Sequence, residues 1–192
     1  MLTLGVTGGL GSGKSTACSF FLEFGCEIFD ADIEAKKILF SSEIVKLKLV
    51  EYFGESILEN DEISKKALVD IVFTNQKNQQ ILNNIIHPLV TEEFLKRQKT
   101  VKSNIYIMDA ALLFEANLQD HFHKTILIYT DKDQRIQRAL NRGNLSREQI
   151  ESRMNLQLDE EEKKSLSDII IYNNGSLEDL KNKINELIQN LM

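Results

Sequence analysis

The chain has 192 residues, 42% hydrophobic and 27% charged, with a formal net charge of -6. That is enough apolar material for a single enzyme-sized core with some appended substructure, and its acidic balance repels a polyanion, which argues against nucleic acid as a partner. Two cysteines, Cys18 and Cys26, are too few and too close for a disulfide framework or a zinc ligand set. No run approaches the ~18 consecutive apolar residues of a membrane span, and the opening residues lack a basic region followed by an apolar stretch, so a cytoplasmic protein with no membrane partner is expected.

In chain order, the first element is an apolar strand over Leu2 to Thr7. It runs into "GVTGGLGSGKST", residues 5 to 16, where Gly8, four further residues, Gly13, Lys14 and Ser15 match G-x-x-x-x-G-K-[ST] in full. A chain of this length shows that pattern by accident on the order of once in a hundred times. Glycines let a backbone curl around phosphate with its N–H groups inward, and the N-terminus of the helix that follows adds positive potential. Gly11, Ser12 and Gly13 therefore read as the cradle of a nucleoside triphosphate. Lys14 is expected on the β- and γ-phosphates, Ser15 on Mg²⁺ and Thr16 near the α-phosphate. The following helix carries its apolar stripe at Ala17, Phe20, Phe21 and Phe24.

A second strand over Glu27 to Asp30 leads into "IFDADIEA". Strand alternation through this stretch puts Asp30 and Asp32 on one side, where one carboxylate can take a proton from an attacking hydroxyl while the other helps hold Mg²⁺. The competing reading makes either aspartate the N-cap of a helix beginning near Ile33. Residues 33 to 104 then form a long helical insertion. Inside it, His87 precedes the single proline, Pro88, a pairing that reads more readily as a structural turn than as a site.

The third strand, Ile105 to Asp109, ends in a carboxylate at the usual place for one near Mg²⁺, and an apolar turn leads on to Glu115. A fourth strand over Thr125 to Tyr129 precedes a second insertion, 131 to 167, where Arg135, Arg138 and Arg142 share a helix face. Guanidinium groups suit the charge that spreads over a transferring phosphoryl, although a solvated cationic face reads equally well. A fifth strand over Asp168 to Tyr172, the turn residues Asn173, Asn174 and Gly175, and a helix opened by Ser176 and Asp179 complete the chain.

Near-continuous apolar strands alternating with helices predict a three-layer α/β/α domain around a parallel sheet. Ligands bind beyond the carboxyl ends of such strands, so the two insertions read as an acceptor-binding arm and a lid on a single domain spanning 1 to 192. A guanine-nucleotide switch is disfavoured: the nearest matches to its motifs are "NKIN" at Asn182, inside the terminal helix, and "DAAL" at Asp109. No pattern here reports an oligomeric state.

Taken in order, "TGGLGSGKST", "FDAD", "HPLV", "ALLFE", the arginine helix, Gln157 and "DIIIYNNGS" resemble the dephospho-coenzyme A kinase family over essentially the whole chain. That resemblance implies a five-stranded parallel P-loop core with ATP and Mg²⁺ as cofactors. The ribose 3′-hydroxyl of dephospho-coenzyme A would be the acceptor of the γ-phosphoryl group. It also implies Asp32 as general base, Lys14 as phosphate ligand, and Arg138 and Arg142 as lid arginines. Thr7, His87, Leu113 and Glu115 would serve the acceptor side, Asp30 and Asp109 the metal, and Asn174 the adenine. The family commonly has proline where Ala111 stands, which leaves this turn with a freer φ and an extra N–H. Rival readings are another P-loop small-molecule kinase and a nucleotide-sensing module without an acceptor.

Overall fold

The computed structural model describes residues 1–72 and 76–192 and divides the chain into two compact units, 1–30 with 101–192 and 31–100. In the first unit, β1 (Leu2–Thr7) leads through the glycine-rich loop to α1 (Lys14–Glu23) and β2 (Glu27–Asp30). In the second unit follow α2 (Ala31–Ser41), α3 (Glu43–Phe53), the short strands β3 (Leu58–Glu59) and β4 (Glu62–Ile63), α4 (Lys65–Val72) and α5 (Gln76–Gln98). The first unit resumes with β5 (Ile105–Asp109), β6 (Lys124–Tyr129), α6 (Lys132–Asn141), α7 (Arg147–Asn155), α8 (Glu160–Leu166), β7 (Ile169–Tyr172) and α9 (Leu177–Leu191).

The five strands of the first unit form one parallel sheet in the order β2-β5-β1-β6-β7, as the strand reading anticipates. β1 is central, which explains why every residue from Thr3 to Thr7 is buried. Alternate residues Leu4, Val6, Ile105, Ile107, Ile126, Ile128 and Ile171 join a core with Ala17, Cys18 and Phe21 of α1 and Leu180, Ile184 and Ile188 of α9. α9 is started by the capping box that Ser176 and Asp179 suggest. Both cysteines are free thiols in or beside this core, and burial pushes Cys26 up to about 11 and Cys18 higher still. Among the described residues, no helix is long and apolar enough to cross a membrane.

Because all five strands run the same way, their carboxyl ends gather at one edge. Thr7, Asp30 and Asp109 close three of them, and Thr130 and Asn173 directly follow the other two. Asp30 and Asp109 are register partners on neighbouring strands.

The separate unit covers 31–100, where the sequence suggests an insertion over 33–104; the segment 131–167 holds α6 to α8 and clusters with the sheet. Within the 31–100 unit, buried Glu34 accepts from Arg97 Nη2 at 2.6 Å and from Lys37 at 3.3 Å, while Arg97 Nε reaches Glu93 at 2.8 Å. These bonds tie α2 to α5.

Two local expectations fail here. β2 ends at Asp30 and α2 begins at Ala31, so Asp32 occupies the first turn of a helix and strand alternation does not govern its direction. His87 and Pro88 do not form a turn, since both lie inside α5. Proline removes the N–H that would reach the Asn84 carbonyl. The helix nevertheless continues, because Ile85, Ile86, Val90 and Phe94 bury one face across the break.

Candidate functional site

The glycine-rich loop is fixed from several directions. At its inner bend, the carbonyl of Ser12 accepts from Asn173 Nδ2 at 2.8 Å and from the Thr130 hydroxyl at 2.9 Å. Gly13 has φ +90°, and a Cβ there would lie 2.3 Å from Asn173 Nδ2, so this position admits glycine on both counts. At the outer bend, the Leu10 N–H donates to Gln157 Oε1 at 3.0 Å, and the Leu10 side chain packs into a small core of Ile136, Ala139, Ile150 and Met154. Gly11, with φ +83°, faces the Arg135 carbonyl, which a Cβ would meet at 2.3 Å.

Lys14 and Ser15 open α1 directly after this loop. Lys14 is paired with Asp109, and both side chains are mostly buried. The Ser15 side is exposed, whereas Ser12 is buried and its hydroxyl has no protein partner. The Ser12 N–H closes the loop on the Gly9 carbonyl at 2.9 Å, and the orphan hydroxyl, the other loop N–H groups and Lys14 make a donor-rich stretch suited to an anion.

The three arginines of α6 separate. Arg135 is buried and paired with Glu160 at 3.3 Å. Arg138 is half-buried; its guanidinium donates to the Asn173 carbonyl at 2.9 Å and the Thr130 hydroxyl at 3.3 Å, beside Gly13. Arg142 is the exposed C-cap. One helical row thus carries a structural cation, a cation braced next to the loop, and a solvated one.

On the turn after β5, Leu113 is fully buried and lies where a Cβ on Gly5 would strike it, so its side chain belongs to the core and is not free to line a ligand site. Thr7 is also buried, its hydroxyl 3.5 Å from the Ala111 carbonyl. Glu115 accepts from the Leu158 N–H at 2.8 Å and pairs with Lys163 at 3.4 Å. Asn174 uses its side-chain oxygen on the Asp131 N–H at 3.0 Å, and it is the neighbouring Asn173 that reaches the loop. Asp32 is exposed in α2, and His87 is half-buried in α5.

Sequence reasoning passes over Thr130, takes Asn173 only as a turn residue, and passes over Glu160 and Lys163. The first two follow strand ends, a position that could single them out in a parallel sheet. The other two sit in "EEEKKSL", which looks like a solvated charged face.

A model of the dephospho-CoA kinase family matches residues 2–179. The chain belongs to that family. It is 35% identical to a dephospho-CoA kinase of Oceanobacillus iheyensis over 98% of this chain and 96% of that protein. Among solved structures it is similar to the dephospho-CoA kinase from Campylobacter jejuni, with TM-score 0.70, 29% identity and coverage of 98% and 96% of the two chains. The fold alone is shared with shikimate kinase from Acinetobacter baumannii, at TM-score 0.54 and 16% identity over 99% and 94%. As a member of this family the chain is a kinase with an alcohol group as acceptor, and ATP is the phosphoryl donor.

Proposed function

We propose that this chain transfers the γ-phosphoryl group of ATP to the ribose 3′-hydroxyl of dephospho-coenzyme A, giving coenzyme A and ADP, the last step of coenzyme A biosynthesis. The observation that carries the reading is the glycine loop with Lys14 and Ser15 at the head of α1, beside the register pair Asp30 and Asp109, in a chain whose family match spans residues 2–179.

In this reading the N–H groups of Gly11 to Thr16 bind the nucleotide phosphates, with Lys14 exchanging its bond to Asp109 for a phosphate oxygen. Arg138, already braced on the Asn173 carbonyl, adds positive charge beside the loop. Arg142 is assigned to the lid tip and Asn174 to the neighbourhood of the adenine. Asp32 takes the proton from the attacking hydroxyl, the oxygen bonds to the γ-phosphorus, and ADP leaves with the bridging electron pair. Thr7, His87, Leu113 and Glu115 are assigned to the acceptor side, Leu113 through its backbone.

The oxygen donors Asp30, Asp109 and Ser15 fit Mg²⁺, which favours one or two carboxylates completed by water and substrate phosphates. Among the described residues no three His, Cys, Asp or Glu side chains gather into a cluster, so in this reading the cation is held jointly with the nucleotide. When bound, Mg²⁺ would offset charge developing on the phosphate oxygens. A cytoplasmic setting is supported by two free, buried thiols. The two insertions are assigned to acceptor binding and to a lid, within a single kinase domain.

The test is ADP release in the presence of ATP and Mg²⁺, comparing dephospho-coenzyme A with nucleosides, nucleotides and shikimate. Stimulation by dephospho-coenzyme A over the others supports the proposal, and preference for another acceptor overturns it.

A further inference from the structure

Behind the glycine loop lies a chain of buried charges. Lys163 is completely buried, with its ammonium 3.4 Å from Glu115 Oε1 and 3.5 Å from Glu160 Oε1. The same Glu160 oxygen is 3.3 Å from Arg135 Nη1, and these two side chains are 9% and 8% exposed. Two carboxylates and two cations therefore alternate from the turn after β5, through α8, to α6. At the Arg135 end the chain touches the loop: a Cβ on Gly9 would lie 2.0 Å from Arg135 Nη1 and 2.4 Å from Glu160 Oε1. Glu115 Oε2, Glu160 Oε2 and Arg135 Nε are buried without a hydrogen-bond partner.

Such a row is costly as mere scaffolding, since buried ion pairs seldom stabilise more than well-packed apolar side chains would. It has a different property, because in a low-dielectric interior each charge feels its neighbours strongly. A donor that reaches the buried, unpartnered Oε2 of Glu115 weakens that carboxylate's hold on Lys163 and shifts the ammonium's attraction toward Glu160. Glu160 in turn shares its oxygen with Arg135, whose guanidinium and carbonyl flank Gly9 and Gly11.

We propose that Lys163 is a positioning residue that couples occupancy of the acceptor-side carboxylate Glu115 to the conformation of the phosphate loop, through Glu160 and Arg135. This rests on the assignment of Glu115 to the acceptor side. Its thermodynamic form is a reciprocal coupling: bound acceptor tightens nucleotide, and bound nucleotide tightens acceptor by the same factor.

The experiment is calorimetric binding of the β,γ-imido analogue of ATP, with Mg²⁺, to the full chain with and without saturating dephospho-coenzyme A. The wild type is expected to bind the analogue roughly 5- to 50-fold tighter when the acceptor is present, within the usual range of coupling between sites. Lys163→Met, of similar length without the charge, should bring this ratio to about one, and Lys163→Arg should retain part of it. A residue that serves structure alone would weaken both ligands and leave the ratio where it was. Should Lys163→Met fail to fold, Glu160→Gln cuts the next link and should also lower the ratio. A ratio of one in the wild type, or one unchanged in the folded variants, overturns the inference while leaving the kinase reading intact. Absence of dephospho-coenzyme A binding to the wild type would remove both.

Discussion

Gln157 Oε1 accepts the N–H of Leu10 at 3.0 Å, so a side chain 147 positions away in sequence fixes the outer bend of the phosphate loop. Leu10 also plugs the α6–α7 core with its own side chain. The base of the 131–167 segment is thereby fastened to the loop, while residues such as Arg142 and Arg147 near its tip remain exposed. Gln157→Leu keeps the bulk and leaves that N–H without its acceptor. Losing one such bond costs about 1 kcal/mol, so ATP affinity should fall about 5- to 10-fold. Titration of the analogue checks this; unchanged affinity would mean that the loop holds its shape without the latch.

Gly11 combines φ +83° with a carbonyl oxygen 2.3 Å from the position of an added Cβ. An alanine there carries about 1–2 kcal/mol of left-handed backbone strain and must also displace the Arg135 backbone. Gly11→Ala should lower the melting temperature and reduce nucleotide affinity more than tenfold. Gly25→Ala is the internal comparison, having φ +86° and open space around the added carbon. It should show the strain in stability alone, with nucleotide binding retained.

Asp32→Asn keeps the shape of the first turn of α2 but cannot accept a proton. A drop of about 10²- to 10⁴-fold in kcat is expected, with ATP affinity largely kept. Steady-state kinetics together with analogue binding distinguish this from a fold defect. A near-wild-type kcat would remove Asp32 from the role of base.

Asp168 supplies a pH-dependent term in stability. The Thr125 N–H donates to its carboxylate at 2.7 Å and the Thr125 hydroxyl at 2.8 Å, and these bonds hold its pKa below the ordinary value of 3.8. For a carboxyl depressed on folding, the stabilisation is fully present above the unfolded-state value and is lost as pH falls through the folded-state one. Asp168→Asn should therefore be less stable than wild type at neutral pH, and the gap between their urea midpoints should narrow below about pH 3.8. A gap independent of pH would show that the charge is not what these bonds stabilise.

The sheet is readable in the sequence because several of its strands are nearly all apolar: Ile105 to Asp109 is buried at every position, and no alternative period competes with it. The phosphate loop is equally plain, since glycine spacing is a direct record of backbone shape. Asp32 is harder, because the strand stops two residues short of it and a helix has already begun at Ala31. Pro88 misleads for the opposite reason. Tertiary burial of Ile85, Ile86, Val90 and Phe94 carries α5 past a residue that ends most helices.

The arginine row shows a further limit. Spacing places Arg135, Arg138 and Arg142 on one face, yet which of them is buried depends on where α6 meets the loop and where it ends. Lys163 is invisible for the same reason: in "EEEKKSL" it stands beside Lys164, and its ion-pair partner Glu115 lies far away in sequence, on the turn after β5.

The central claim is tested most directly by incubating the protein with ATP, Mg²⁺ and dephospho-coenzyme A and identifying the products by mass and chromatography. The account predicts equimolar ADP and coenzyme A, with the added phosphoryl group on the ribose 3′-oxygen. ADP formed with dephospho-coenzyme A recovered unchanged would contradict it.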